Sequence, residues 1–312
     1  MRKSMRVLIT DKCNMNCATC FNKSLRKNTE MPVETFNDLC SYLKNEGGIR
    51  RLKIMGGEPT IHPYFLDIVE IAKNNFESIH IFTNASTDII KSLCLRPKDT
   101  VIYNISCMGL RFPFQKLLPE QECVHAFETR IDYNSNVERI KALLAYVHSV
   151  LKEKMIVNLT LDCTDNIFVN KKEIISNWND LVSFIEDELQ IPYMVDHNIP
   201  YCFFVGSNMK LHIKHSICST NCAGLIAPDL SLRHCNQTIS NLICIRQNGR
   251  FIPYKILKQY IYTEHIGRLH ECLSKLCKDC MFWDVKCNGG CFVSKAHITR
   301  DSILQNTSLP LK

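Results

Sequence analysis

The sequence predicts an α/β chain: a sheet of parallel strands, open or partly closed as a barrel, followed by a small cysteine-rich domain. Three observations carry this. Short β-rich runs alternate with amphipathic helical segments over the first 200 residues. The helical periodicity fades near residue 200. Nine cysteines then fall between Cys218 and Cys291. Strand–helix alternation argues for parallel strands joined by crossover helices, which place ligands on the loops after the strand C-terminal ends. The expected boundary divides residues 1–200 from 201–312.

Taken in order, the expected strands are Met5 to Thr10, Leu52 to Met55, Ile79 to Thr83, Val101 to Ser106, Met155 to Leu161 and Ile191 to Val195. Their length and their Val, Ile and Met content suit buried strands. A helix is expected from Pro32, a good first helical position, with Phe36, Leu39, Cys40 and Leu43 on one face. Another aligns Ile140, Leu143, Leu144, Val147 and Leu151. A third aligns Ile174, Trp178, Leu181 and Ile185. The loops to watch therefore follow Thr10, Met55, Thr83, Ser106 and Leu161. Met108 to Ser135, carrying Phe112, Phe114, His125 and Arg130, reads as one long connection of the lid or binding type. Beyond residue 200, Pro228-Asp229, Asn248-Gly249 and Gly289-Gly290 mark turns in a domain too small to build much core without metal.

Composition bounds the function. The 312 residues suffice for two domains, and 46% hydrophobic with 22% charged residues excludes disordered, collagenous and coiled-coil classes. No apolar run approaches the ~18 residues of a spanning helix. The opening MRKSMRVLIT is too short an apolar stretch for a signal peptide. No membrane partner and a cytoplasmic location are expected. The net charge of +7 is spread over scattered clusters without interleaved aromatics, so no nucleic-acid partner is expected. In a reducing compartment 18 cysteines point to metal before disulfides.

Cys13, Cys17 and Cys20, spaced C-x3-C-x2-C, follow the first strand directly. Three thiolates on one short loop can hold three corners of an iron–sulfur cubane and leave one iron open. Zinc is the other reading, although it usually asks for four ligands. In so cysteine-rich a chain this spacing arises by chance about once in 17 sequences, so the triplet alone decides nothing. After the second strand comes Gly56-Gly57-Glu58-Pro59. Two glycines let the backbone approach a ligand, Glu58 adds an acceptor and Pro59 stiffens the exit. Such a loop suits an ammonium group.

Together, the triplet after strand one and the GGEP after strand two resemble the radical S-adenosylmethionine (radical SAM) superfamily. The resemblance implies a partial (β/α)6 barrel of parallel strands. It implies that Cys13, Cys17 and Cys20 ligate a [4Fe–4S] cluster whose open iron binds SAM. It implies that Gly56, Gly57, Glu58 and Pro59 hold the methionyl amine. Thr83, Asn84, Ser106 and Asn158 resemble family positions that contact the SAM ribose or carboxylate. Reductive cleavage of SAM, fed by a flavodoxin- or ferredoxin-type reductant, would yield a 5′-deoxyadenosyl radical that takes a substrate hydrogen. One departure concerns the residue before the third cysteine, aromatic in most of the family. Here it is Thr19, with Phe21 one place later, and this bears on the adenine packing.

Further along, Cys277, Cys280, Cys287 and Cys291 read C-x2-C-x6-C-x3-C, and Cys218, Cys222 and Cys235 read C-x3-C-x12-C. The segment IAPDLSLRHC reads as a hairpin leading into a ligand. This field is similar to the SPASM and twitch extensions of radical SAM enzymes, which carry auxiliary iron–sulfur clusters. A SPASM-like assignment gives Cys218, Cys222, Cys235 and Cys291 one cluster and Cys277, Cys280 and Cys287 a second, completed by His297, by Asp301 or by an open iron. A twitch-like assignment uses only Cys222, Cys235, Cys277 and Cys280. A structural zinc ribbon is the third reading. One or two auxiliary [4Fe–4S] clusters are thus expected. Of the remaining cysteines, Cys40, Cys94, Cys107, Cys123, Cys163, Cys202, Cys244 and Cys272 read as small buried hydrophobes. Cys107 and Cys163, just beyond strand ends, are also candidate catalytic hydrogen-atom donors.

The resemblance leaves two substrate classes. Enzymes with SPASM-type extensions modify peptides, or oxidise and epimerise small metabolites such as aminosugars. A chain starting directly at its first strand favours small molecules or a separate recognition protein. The positive charge suits an acidic leader peptide, and peptide maturation is the preferred expectation. A non-catalytic electron-transfer or scaffold protein, or a zinc protein, leaves GGEP unexplained.

Overall fold

The computed structural model describes residues 4–17, 20, 22, 26–105, 122–161, 169–195, 203, 224–233 and 241–272. The fold is the expected α/β class with mostly parallel strands. The chain divides into two compact units: residues 1–127, 150–155 and 221–264, and residues 128–149, 156–220 and 265–312.

In the first unit, β1 (Ser4–Leu8), β2 (Arg51–Met55), β3 (Ser78–Thr83) and β4 (Thr100–Asn104) lie side by side and parallel. Alternate residues Met5, Val7, Leu52, Ile54, Ile79 and Ile81 are fully buried. The helices between strands supply matching apolar faces. Pro32 caps α1 (Val33–Asn45), which buries Phe36, Leu39, Cys40 and Leu43 as its spacing predicts. The sequence reading did not single out α2 (Phe65–Asn75), which buries Phe65, Ile68, Val69 and Ala72. Register places Arg6, Lys53 and His80 in one row across β1, β2 and β3, at positions whose side chains point away from those buried alternates.

The other edge of β1 is taken by a segment from beyond residue 220. There β8 (Leu225–Ile226) pairs parallel with β1, Arg6 opposite Leu225. It turns through Pro228-Asp229 into antiparallel β9 (Ser231–Arg233), followed by β10 (Asn241–Cys244). The predicted hairpin in IAPDLSLR is therefore present. A second hairpin joins β11 (Arg246–Gln247) to β12 (Arg250–Phe251). Its turn residues Asn248 and Gly249 both have positive φ, 50° and 76°, the geometry that matches strand twist in two-residue turns. Phe251 stacks on Tyr42 of α1 with ring centroids 4.7 Å apart. Helix α5 (Tyr254–Cys272) follows.

The second unit contains α3 (Val137–Leu151) up to Ser149, β6 (Met155–Leu161) from Ile156, α4 (Lys171–Ser183) and β7 (Tyr193–Val195). Strands β6 and β7 are parallel. Leu143, Leu144 and Val147 of α3 and Ile174, Trp178 and Leu181 of α4 are buried as expected. Helix α4 continues as a π-helical turn over Phe184–Leu189, which ends at left-handed Gln190.

One expectation is corrected. The long connection Met108 to Ser135 is not all loop, because Val124–Ile131 forms a further strand, β5. Its sequence VHAFETRI contains four polar residues and no apolar run. Yet His125, Phe127, Thr129 and Ile131 are buried. Tyr103 stacks on His125 and Phe127, and its hydroxyl lies 3.3 Å from His125 Nδ1. A polar side chain partnered inside a core, as His125 is by Tyr103, looks like a loop residue in a sequence. Asn158 thus sits on the sixth strand in chain order, not the fifth. Two further cysteines depart from expectation: Cys94 and Cys244 are exposed, whereas Cys40 and Cys123 are buried. Phe112, Phe114, Cys202, the expected turn Gly289-Gly290 and the expected boundary at residue 200 lie outside the described residues.

Candidate active site

The site is built on the loops that follow β1, β2 and β3. The chain leaves β1, runs through the cysteine triplet and returns beside itself. Backbone bonds close the base of this loop: Asp11 N–H donates to the Thr29 carbonyl at 2.9 Å and Met31 N–H to the Ile9 carbonyl at 2.8 Å. Cys13, Cys17 and Cys20, none of them in a disulfide, are of intermediate exposure within it.

The Gly-Gly-Glu-Pro loop is locked to the base of the cysteine loop. Gly57 N–H donates to the Thr10 carbonyl and Glu58 N–H to the Lys12 carbonyl, both at 2.8 Å. The approach leaves no room for side chains. A Cβ on Gly57 would stand 2.6 Å from the Lys12 carbonyl carbon and 2.7 Å from the Asp11 oxygen. A Cβ on Gly56 would stand 2.9 Å from the Thr10 oxygen. These glycines were expected to open the backbone to a ligand. Their close approach is instead to the neighbouring loop, and the Gly57 and Glu58 N–H groups are spent there.

Glu58 is buried and organises the next strand end. Its Oε1 accepts from Thr60 N–H (3.1 Å), the Thr60 hydroxyl (2.6 Å) and the Thr83 hydroxyl (2.7 Å). Its Oε2 accepts from Asn84 N–H at 2.7 Å. Burial pushes the carboxyl above its ordinary range, and these donors oppose the push. Asn84 Nδ2 donates to Asn14 Oδ1 at 3.0 Å, and Asn14 Nδ2 to the Ser86 hydroxyl at 2.6 Å. The third strand end is thereby tied to the cysteine loop.

A guanidinium that the sequence reading missed spans the triplet. Arg26 Nη1 donates to the Met15 carbonyl at 3.0 Å and Nη2 to Cys20 Sγ at 3.4 Å. Its Nε is buried with no hydrogen-bond partner among the described residues. Burial pushes the Cys13 thiol up. The Met15 N–H, 3.4 Å from Cys13 Sγ, and the Arg26 charge pull it down, whereas Glu58 and Cys17 raise it. A second cation, this one buried, braces the loop from β9. Arg233 Nη1 donates to Asn22 Oδ1 at 3.0 Å, and Asn22 Nδ2 donates to Asp11 Oδ1 at 3.1 Å. Six residues after the last cysteine was a readable place for a counter-charge. No sequence signal joins Arg233 to Asn22.

Among the described residues no three His, Cys, Asp or Glu side chains are gathered as a single metal ion requires. A four-iron cluster puts each thiolate on its own iron, so it asks for a spread set. Three half-buried cysteines outside any disulfide, on one loop and with a cationic N–H donor at Cys20, fit such a group. Asn104 Oδ1 and Asn158 Oδ1 are also buried acceptors without a partner among the described residues. Asn158 was an expected cofactor contact, whereas Asn104 was not picked out. Thr83 and Asn84 are placed at the site through Glu58. Ser106, Cys107, Cys163, Thr19 and Phe21 lie outside the described residues. So do the auxiliary candidates Cys218, Cys222, Cys235, Cys277, Cys280, Cys287 and Cys291, together with His297 and Asp301.

Parallel strands whose first two loops are hydrogen-bonded to one another beside a thiol triplet define an α/β protein with a candidate cluster site at its strand ends. The model of the Radical SAM superfamily matches residues 7–185, more than half of the chain. The chain belongs to that superfamily of enzymes, whose members use SAM and a [4Fe–4S] cluster. A probable GTP 3',8-cyclase of Methanothermobacter marburgensis is 33% identical over 141 residues, 45% of this chain and 42% of that protein. An S-adenosylmethionine-dependent nucleotide dehydratase of a Thermoplasmatales archaeon is 32% identical over 84 residues, 27% of this chain and 30% of that protein. The chain thus spans less than half the length of either relative. Among solved structures, Streptococcus suis SuiB bound to S-adenosylmethionine aligns with a TM-score of 0.68 at 13% identity, over 96% of this chain and 75% of that one. SuiB bound to its precursor peptide SuiA aligns with a TM-score of 0.64 at 12% identity, over 99% of this chain and 74% of that one. Likeness at such identity establishes the fold alone. Among the described residues no helix is long and apolar enough to cross a membrane.

Proposed function

We propose that this chain cleaves SAM reductively and uses the resulting radical to take a hydrogen atom from a substrate, most plainly a peptide. The observation that carries the radical chemistry is the interlock of the two loops. It ties the Gly56–Pro59 loop to Thr10 and Lys12, the residues that lead into Cys13, Cys17 and Cys20. When bound, the cluster supplies one electron, drawn from a flavodoxin- or ferredoxin-type donor, and an open iron for SAM. The chain's own groups do the rest. Glu58 fixes Thr83 and Asn84, and these orient the third strand end toward the cysteine loop. Carbonyl groups of the Gly56–Pro59 loop hold the methionyl amine, and Ser106 and Asn158 meet the ribose and carboxylate. The seven cysteines from Cys218 to Cys291 that were assigned above hold one or two auxiliary clusters in a domain spanning residues 201–312. Cys107 or Cys163 would give its thiol hydrogen to the substrate radical, and the resulting thiyl radical would be returned to the thiol by one electron from the flavodoxin- or ferredoxin-type donor and one proton.

The peptide reading is supported by the alignment with peptide-bound SuiB over nearly the whole chain and by the net charge of +7, which suits an acidic peptide. A nucleotide is the second reading, favoured by the names of the two relatives. Anaerobically reconstituted and reduced protein should convert SAM to 5′-deoxyadenosine and methionine. No product from protein with intact clusters would sink the enzymatic reading. Adding a synthetic acidic peptide or GTP in parallel separates the substrates, since the true class accelerates 5′-deoxyadenosine release.

A further inference from the structure

We propose that Arg26 is a positioning residue that sets the reduction potential of the cluster held by Cys13, Cys17 and Cys20. The inference rests on the reading of that triplet as the cluster site. Two observations carry it. Arg26 Nη2 already donates to Cys20 Sγ at 3.4 Å, and Nη1 holds the Met15 carbonyl, inside the gap between Cys13 and Cys17, at 3.0 Å. One guanidinium therefore grips the loop at its middle and at its last ligand. Its Nε remains a buried donor without a partner among the described residues.

The physics has a definite sign. A [4Fe–4S]2+ core with three thiolates carries one net negative charge. One electron from a low-potential donor makes that two, and no bond forms or breaks at the protein. A fixed cation stabilises the doubly negative state more than the singly negative one. An N–H donor to a ligand sulfur works in the same direction, because hydrogen bonds to cluster sulfurs are among the factors that set potential. Arg26 therefore raises the midpoint and eases the electron's entry. Lysine keeps the charge but lacks the planar fork that reaches Met15 and Cys20 together.

The test is a redox titration followed by electron paramagnetic resonance on full-length, anaerobically reconstituted protein. The relevant cluster is the one whose signal changes when SAM is added and which is missing from the Cys13/Cys17/Cys20→Ala variant. We expect a more negative midpoint in Arg26→Met and an intermediate one in Arg26→Lys, at equal iron content. If Arg26→Met loses iron with an unchanged circular dichroism spectrum and Arg26→Lys restores it, the charge is again what the site needs. Equal midpoints in wild type and Arg26→Met overturn the proposal. So does equal loss of iron and of helical signal in both variants, which marks Arg26 as merely structural. No SAM-sensitive signal in wild type is a separate outcome, which overturns the cluster assignment itself.

Discussion

Gly57 shows how much one residue decides at this site. The sequence marks it as a glycine that something must approach closely, and something does, but it is the carbonyl of Lys12. A methyl group there meets backbone, which cannot rotate away. Gly57→Ala should cost about 1–3 kcal/mol of stability, the range for overpacking. It should also separate the two loops, so that SAM cleavage and iron content fall together. Wild-type iron content and SAM cleavage in Gly57→Ala would refute that role. Glu58 was legible as an acceptor but not as the acceptor of four protein donors. Glu58→Gln puts an amide NH2 where an oxygen accepted. Either the Asn84 N–H or the Thr60 N–H then faces a donor. SAM binding by equilibrium dialysis should weaken while far-ultraviolet circular dichroism stays as in wild type.

At the scale of elements, the strands rich in Val, Ile and Met were readable and β5 was not. Its buried His125 looks like a loop residue until Tyr103 beside it is known. Hairpin β8–β9 was readable from its turn. Its partnership with β1 was not, because no local pattern encodes a contact between positions 7 and 226. Arg233 belongs to the same hairpin. Arg233→Ala leaves Asn22 Oδ1 buried and unanswered, at a cost of about 1–3 kcal/mol. Denaturant unfolding should read that loss, and the cysteine loop should become more open to alkylation of its thiols. The row of Arg6, Lys53 and His80 has its own consequence. Burial, then the charges of Arg51 and Lys53, push the His80 imidazole down to about 3. In the unfolded chain it binds its proton near pH ~6.5. Stability is therefore complete above about pH 6.5 and falls as pH drops from there toward 3, by at most ~1.4 kcal/mol per pH unit. Between pH 6.5 and 5, above the range of an ordinary carboxylate, His80→Gln should flatten the slope of the unfolding free energy. An unchanged slope would assign the loss to other groups.

For the whole molecule, the cysteine count was the loudest signal and the least decisive. Chance alone yields triplets in such a chain, and only the adjacent glycine loop made one of them credible. The auxiliary field keeps its prediction. Iron counted on the Cys13/Cys17/Cys20→Ala variant should remain and should show iron–sulfur absorbance, and its disappearance would remove the auxiliary clusters. Substrate choice was not legible, because pocket walls depend on which distant segments meet. The braces on the cysteine loop add a matter of timing. Cys13, Cys17 and Cys20 leave the ribosome more than 200 residues before β8 and Arg233 do. Until then one edge of β1 has no neighbour and Asn22 has no guanidinium. The thiols of a half-made chain therefore lack their final frame. On the proposed reading of this loop as a cluster site, its frame is complete only after the hairpin of β8 and β9 has been made.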